Sequence, residues 1–189
     1  MKIILAFFIL SVSFTNADAA PLPRQLAGKS AIDERNLLVG GDTKNRGLVV
    51  VFLSAVCPCS NSHLVELKRL KNDFPDFDFV ALHANSDEDK QTASSYFKAA
   101  DLPFPVLRDS GAKWADEFKA LKTPHAFIVL NDGRLAYQGG VSSSAHFDEN
   151  TARKYLREAL EDLAAGREVR TPEARTLGCV ISRGGQNDW

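Results

Sequence analysis

The chain carries almost no charge imbalance: 23 Lys and Arg face 24 Asp and Glu, a formal net charge of −1 across 189 residues. No basic run or patch breaks that balance, so the footprint of a nucleic-acid or anionic-membrane binder is missing. Internal repeats and low-complexity segments are also absent. Cysteine is scarce, with three in all, and the odd count is informative. At least one thiol is left over, pairs with another molecule, or works as a nucleophile.

Apart from the start of the chain, no apolar run approaches membrane-spanning length. The first residues, MKIILAFFILSVSFTNADAA, have the order of a secretory signal. Lys2 supplies the positive end, Ile3 to Phe14 an apolar stretch too short to span a bilayer comfortably, and Ala17-Asp18-Ala19 a small-x-small cleavage site. Taking residues 1–19 as a signal peptide cleaved after Ala19 leaves 170 of the 189 residues, enough for one domain with a good core. No cysteine stands at the cleavage point to take a lipid. The mature protein is therefore expected to be exported, periplasmic or secreted, with no membrane span. An oxidising compartment lets disulfides persist, which gives the three cysteines more weight.

Residues 20–46 are polar without a sustained period and are expected to form a lead-in of low order. Leu48 to Leu53, LVVVFL, is continuous and β-branched, the pattern of a strand buried on both faces. Leu64, Leu67, Leu70 and Phe74 then recur at helical spacing until Pro75. Phe79 to His83 predicts a second buried strand, and Ser86-x-x-Asp89 a capping box for a helix bearing Ala93, Tyr96, Phe97 and Ala100. A short element at PFPVLRD precedes a helix with Trp114, Phe118 and Leu121. Ala126 to Leu130 and Leu135 to Gln138 flank Asn131-Asp132-Gly133 as a hairpin. Ala152 to Leu163 predicts the last helix, with Gly166 after its C-terminus. This order predicts an α/β fold with a mixed sheet in a domain of residues 47–166, followed by a tail, 167–189, carrying Cys179.

The chemistry concentrates at SAVCPCSNSHLVEL. Cys57 falls between a buried strand and the first turn of a helix, where free amides and the macrodipole stabilise an anion. Thiols in such places have pKa values lowered to roughly 3.5–7.5, and the thiolate is the reactive form.

The layout strand–Cys57–helix, then Thr123-Pro124 before a strand, then Asn131-Asp132-Gly133, resembles the thioredoxin superfamily on its redoxin (AhpC/TSA and TlpA-like) side. The stretches VVFLSAVCPCSN, PFPVLRD, TPHAFIVLNDGRLAYQGGV and LREALEDLAAGREV, with the closing GCVIS, are similar to exported thioredoxin-like proteins having a CP motif and a G-C-x-I tail. The resemblance implies a thioredoxin-like fold with helices on both faces of a central mixed sheet. It also implies thiol–disulfide exchange on protein substrates with no cofactor. Cys57 matches the attacking cysteine and Pro124 the cis-proline facing it, with Thr123, Pro58 and Ser60 positioning substrate. Ser60 stands where the second cysteine of C-x-x-C would be, and Cys59 one place early. On the peroxiredoxin side, Ser54-x-x-Cys57 fits, but Val50 replaces the family's proline and Thr123-Pro124 stands in place of its peroxide-polarising arginine. Those departures favour disulfide exchange over a peroxidase.

Exchange needs a second thiol. Cys179, 122 residues from Cys57, ranks above Cys59, because an i, i+2 bridge is strained in an extended chain. A Cys59–Cys179 bridge leaving Cys57 free is a further arrangement. Two other readings stay open. Cys57, Cys59, His63 and His125 could form a soft-metal site like that of the copper-delivery Sco proteins, which share this fold, although the spacing differs. A non-catalytic binding module is the other, with Ser60 as its support. His63, His83 and His146 otherwise read as solvated surface residues.

Overall fold

The computed structural model describes residues 21–184. The expected signal peptide therefore lies outside the described residues, as do the last five residues of the tail. The chain runs through β1 (Gln25–Ser30), β2 (Asn36–Gly40), β3 (Gly47–Phe52), α1 (Pro58–Asp73), β4 (Phe77–His83), α2 (Lys90–Ala100) and β5 (Val106–Arg108). A short 3-10 turn leads into α3 (Lys113–Glu117), then β6 (Lys122–Thr123), β7 (His125–Leu130), β8 (Leu135–Gly139), α4 (Tyr155–Ala164) and β9 (Cys179–Val180).

Seven strands form one mixed sheet in the order β2-β1-β5-β4-β3-β7-β8. Strands β3, β4 and β5 are parallel, whereas β7 runs antiparallel to β3 and to β8. Strand β3 sits inside the sheet and is buried along its whole length, as its unbroken apolar run requires. Its side chains alternate between faces. Val49 and Val51 join Leu67, Leu70, Phe97, Leu156 and Leu160 on the side of α1, α2 and α4. Leu48, Val50 and Phe52 join Phe118, Phe127 and Ile181 on the side of α3. This is the thioredoxin-like α/β arrangement, with helices on both faces.

Several expectations need correction. Residues 25–40 are an antiparallel hairpin whose first strand also pairs with β5, not a lead-in of low order. Strand β1 is short and half polar and β2 is short with no buried residue, so their stability comes from the sheet they join and not from a period of their own. Helix α2 is capped by Asp89, whose carboxylate accepts the Thr92 N–H at 2.9 Å, and not by Ser86. Helix α4 begins at Tyr155, three residues after Ala152. Leu121 lies beyond α3 and is exposed.

The tail is docked as well. Gln138 in β8 exchanges backbone hydrogen bonds with Pro172 and Ala174. Strand β9 then pairs antiparallel with β6, Lys122 opposite Val180 and Thr123 opposite Cys179.

Candidate active site

Where β3 ends, the backbone must turn from strand to helix within five residues, and polar side chains brace the turn. The Ser54 hydroxyl accepts the Cys57 N–H at 3.0 Å and donates to Glu88 Oε1 at 2.5 Å. Glu88 Oε2 takes the Ala55 N–H at 2.7 Å and His83 Nε2 at 3.1 Å. Ser60 Oγ accepts the Ser54 N–H at 3.2 Å. Ser60 is fully buried, so it positions the loop and not a substrate, which corrects that expectation. His83 is buried against Glu88 and is not a surface residue.

Cys57 is the N-cap of α1 and Pro58 its first helical residue, where a missing N–H costs nothing. No side chain caps the helix, so its orphan amides face the cysteine end. Cys57 is 2 % exposed, and its Sγ lies 3.3 Å from the Thr123 carbonyl oxygen. Thr123-Pro124 is a cis peptide, and both residues are buried. Thr123 thus contributes its backbone to the site, while its buried hydroxyl has no partner.

Cys57 is bonded to Cys179, with Cα atoms 6.1 Å apart, within ordinary disulfide reach. This is the pairing ranked first from sequence. The tail delivers Cys179 through the β6–β9 pairing, and three further contacts fix it. Ile181 is buried in the α3-side cluster and donates its N–H to the Leu121 carbonyl at 3.0 Å. Arg183 donates to Asp116 at 2.8 Å and to the Ala120 carbonyl at 2.5 Å. The Ser86 N–H donates to the Ser182 carbonyl at 2.9 Å.

Cys59 is a free thiol, 8 % exposed, on the first turn of α1. The sulfurs of Cys57, Cys59 and Cys179 lie within 4.8 Å of one another, and they are the metal-capable cluster among the described residues. The two histidines of the Sco-like set do not join them. His63 is buried, with Nδ1 donating to the Cys59 carbonyl at 2.7 Å and Nε2 accepting from Ser142 Oγ at 2.8 Å. Burial holds its pKa below the usual imidazole value. His125 packs at a tilt against Phe127, with centroids 4.4 Å apart, and accepts the Leu121 N–H at 3.4 Å. Burial lowers its pKa to about 4. His146 is exposed, as expected. Sequence reasoning did not single out Glu88, whose role depends on a contact with Ser54 across 34 positions. Its neighbour Asp89 carried the local capping signal instead.

Comparison with known proteins places this geometry. The Redoxin family model matches residues 29–156. A conserved protein of uncharacterised function from Geobacillus kaustophilus is 25 % identical, with a TM-score of 0.73 over 92 % of this chain and 97 % of its own. A hypothetical protein from Sinorhizobium meliloti 1021 is 21 % identical, with a TM-score of 0.76 over 90 % and 97 %. A thiol-disulfide oxidoreductase from Bacteroides fragilis is 16 % identical, with a TM-score of 0.55 over 77 % and 98 %. No curated protein matches the sequence.

Proposed function

The chain belongs to the Redoxin family, and from that premise we propose that it is an exported thiol–disulfide oxidoreductase in which the Cys57 thiolate attacks and Cys179 resolves. The observation that carries this reading is the Cys57–Cys179 bridge, set at the N-terminus of α1 and against the Thr123 carbonyl. The orphan amides there favour a thiolate and make Cys57 the better leaving group of the pair.

In the reduced protein, the Cys57 thiolate attacks one sulfur of a substrate disulfide and the other leaves as a thiolate. Cys179 then loses its proton, attacks Cys57 Sγ and expels the bound substrate sulfur. The substrate disulfide becomes two thiols while the protein dithiol becomes a disulfide; the reverse sequence oxidises a substrate. Reductant, oxidant and isomerase all use these steps and differ in potential. Cys179 fills the role that Ser60 vacates in the C-x-x-C register, which favours an enzyme over a binding module. The signal sequence supports export to an oxidising compartment, and protein thiols and disulfides are the expected partners. Among the described residues no helix is long and apolar enough to cross a membrane.

Alkylation of the reduced protein across pH tests the reading. One cysteine should react well below pH 8.5, about the value for an ordinary thiol. Cys57→Ser should abolish catalysed insulin reduction, and retention of that activity would refute the assignment. With Thr123-Pro124 at the position of the peroxide-polarising arginine, hydroperoxide turnover should be weak.

A further inference from the structure

To offer a sulfur to Cys57, a second polypeptide would have to lie where β9 lies, along the backbone of β6 and within bonding reach of Cys57. The tail therefore serves as a bound specimen of the partner. We propose that the preferred substrates are extended protein segments with the pattern Gly-Cys-x-aliphatic, as in Gly178-Cys179-Val180-Ile181; this rests on the exchange reading above.

Each position has its own physical reason. At Gly178 the backbone lies so close to the Thr123 carbonyl that an added Cβ would overlap the oxygen, and φ is +156°. A residue with a side chain there could dock only by pushing the strand away from Thr123. Cys179 stands opposite Thr123 in the antiparallel register, which brings its sulfur to Cys57. Val180 points outward, 71 % exposed, so that position places no demand on the partner. Ile181 turns inward, 1 % exposed, into the cluster containing Phe52, Phe118, Ala120 and Phe127. Backbone pairing to an exposed strand supplies affinity without selectivity, and alternate side-chain sites supply the selectivity. Here the selecting sites flank the cysteine at −1 and +2.

Reduction of the Cys57–Cys179 bond removes the covalent restraint on the tail and lets another segment compete for the β6 edge. The tail still competes, at an effective concentration on the order of millimolar for a tethered segment. All substrates meet the same competitor, so relative rates report the site's preference.

The test uses the full reduced chain and a synthetic peptide, Thr-Leu-Gly-Cys-Val-Ile-Ser-Arg, whose cysteine is held as a mixed disulfide with 5-thio-2-nitrobenzoate. The Cys57 thiolate attacks the peptide sulfur, the peptide–aryl bond breaks, and the coloured arylthiolate leaves with the electron pair. Cys179 then displaces the peptide as a thiol and closes the protein disulfide. Peptides carrying Gly178→Ala or Ile181→Ser should each release arylthiolate about tenfold or more slowly. Val180→Ser in the peptide should change the rate by less than about twofold. Each rate is divided by that of the same peptide with dithiothreitol, which removes differences in intrinsic reactivity. Equal corrected rates for all four peptides would overturn the inference while leaving the exchange reading intact. Release absent from all four, or unaffected by Cys57→Ser in the protein, would remove the exchange reading and this inference with it.

Discussion

Glu88 holds Ser54 by a 2.5 Å hydrogen bond, so the loop that delivers Cys57 is tied to a buried carboxylate 34 residues further along the chain. Burial pushes the Glu88 carboxyl up, but the hydrogen bonds from His83, Ser54 and the Ala55 N–H more than offset it and hold the group below its ordinary 4.5. A carboxyl with a lowered folded pKa adds stability that is fully present above the ordinary value and is lost as pH falls through the folded one. The protection factors of the Ala55 and Cys57 amides should therefore be high at neutral pH and fall as the pH drops below about 4.5. Glu88→Gln should flatten that profile and cost about 1–3 kcal/mol. An unchanged profile in the variant would sink the idea.

Gly178→Ala in the protein should weaken tail docking, because the new Cβ meets the Thr123 carbonyl. The oxidised form must then hold the tail against that clash, whereas the reduced form can release it. In a glutathione redox titration the Cys57–Cys179 bond should become easier to reduce, by about tenfold in equilibrium constant. A wild-type titration curve would show that the close approach is relieved at no cost.

The Cys57–Cys179 bridge spans 122 residues. In the chain-entropy model, closing so long a loop adds on the order of 5 kcal/mol relative to the open dithiol. Urea unfolding with and without dithiothreitol should show a midpoint that falls on reduction. Cys179→Ser should match the reduced wild type and show no further response to reductant.

His63 and His125 are both kept neutral by burial. A histidine with a lowered folded pKa leaves the unfolded chain binding the extra proton, so stability falls as pH drops below the ordinary value of 6.5 and levels off below the folded pKa. For His125 that window runs from 6.5 to about 4. The loss is at most about 3 kcal/mol by its lower edge. His125→Phe should remove part of the slope. A stability profile equally steep in the variant would assign the acid sensitivity elsewhere.

Much of the scaffold was legible because it is written in local pattern. The apolar run of β3, the period of α1 and the turn at Asn131-Asp132-Gly133 each encode an element without reference to distant residues. What sequence could not express is who meets whom. His63 reads as a solvated histidine on its helix until Ser142, 79 residues away, arrives to bond it. Ile181 sits in a polar tail and looks dispensable until the tail folds back into the α3-side core. Strain in an i, i+2 bridge already ranked Cys179 above Cys59, but the pairing of Thr123 with Cys179 that delivers its sulfur is a register that no count of intervening residues contains. The first hairpin was missed for the same reason, since its strands are fixed by β5.

The distance along the chain between Cys57 and Cys179 also sets a timetable. At ribosomal speeds of about 5–20 residues per second, 122 residues take roughly 6–25 s to make. Throughout that interval Cys57 exists with Cys59 as its one cysteine neighbour, and every strand of the main sheet is synthesised before the partner sulfur emerges. The nascent protein thus carries Cys57 without the sulfur it is later bonded to. During that interval the centre is half-built, and the Cys57–Cys179 pairing can close only after every strand of the main sheet has been made.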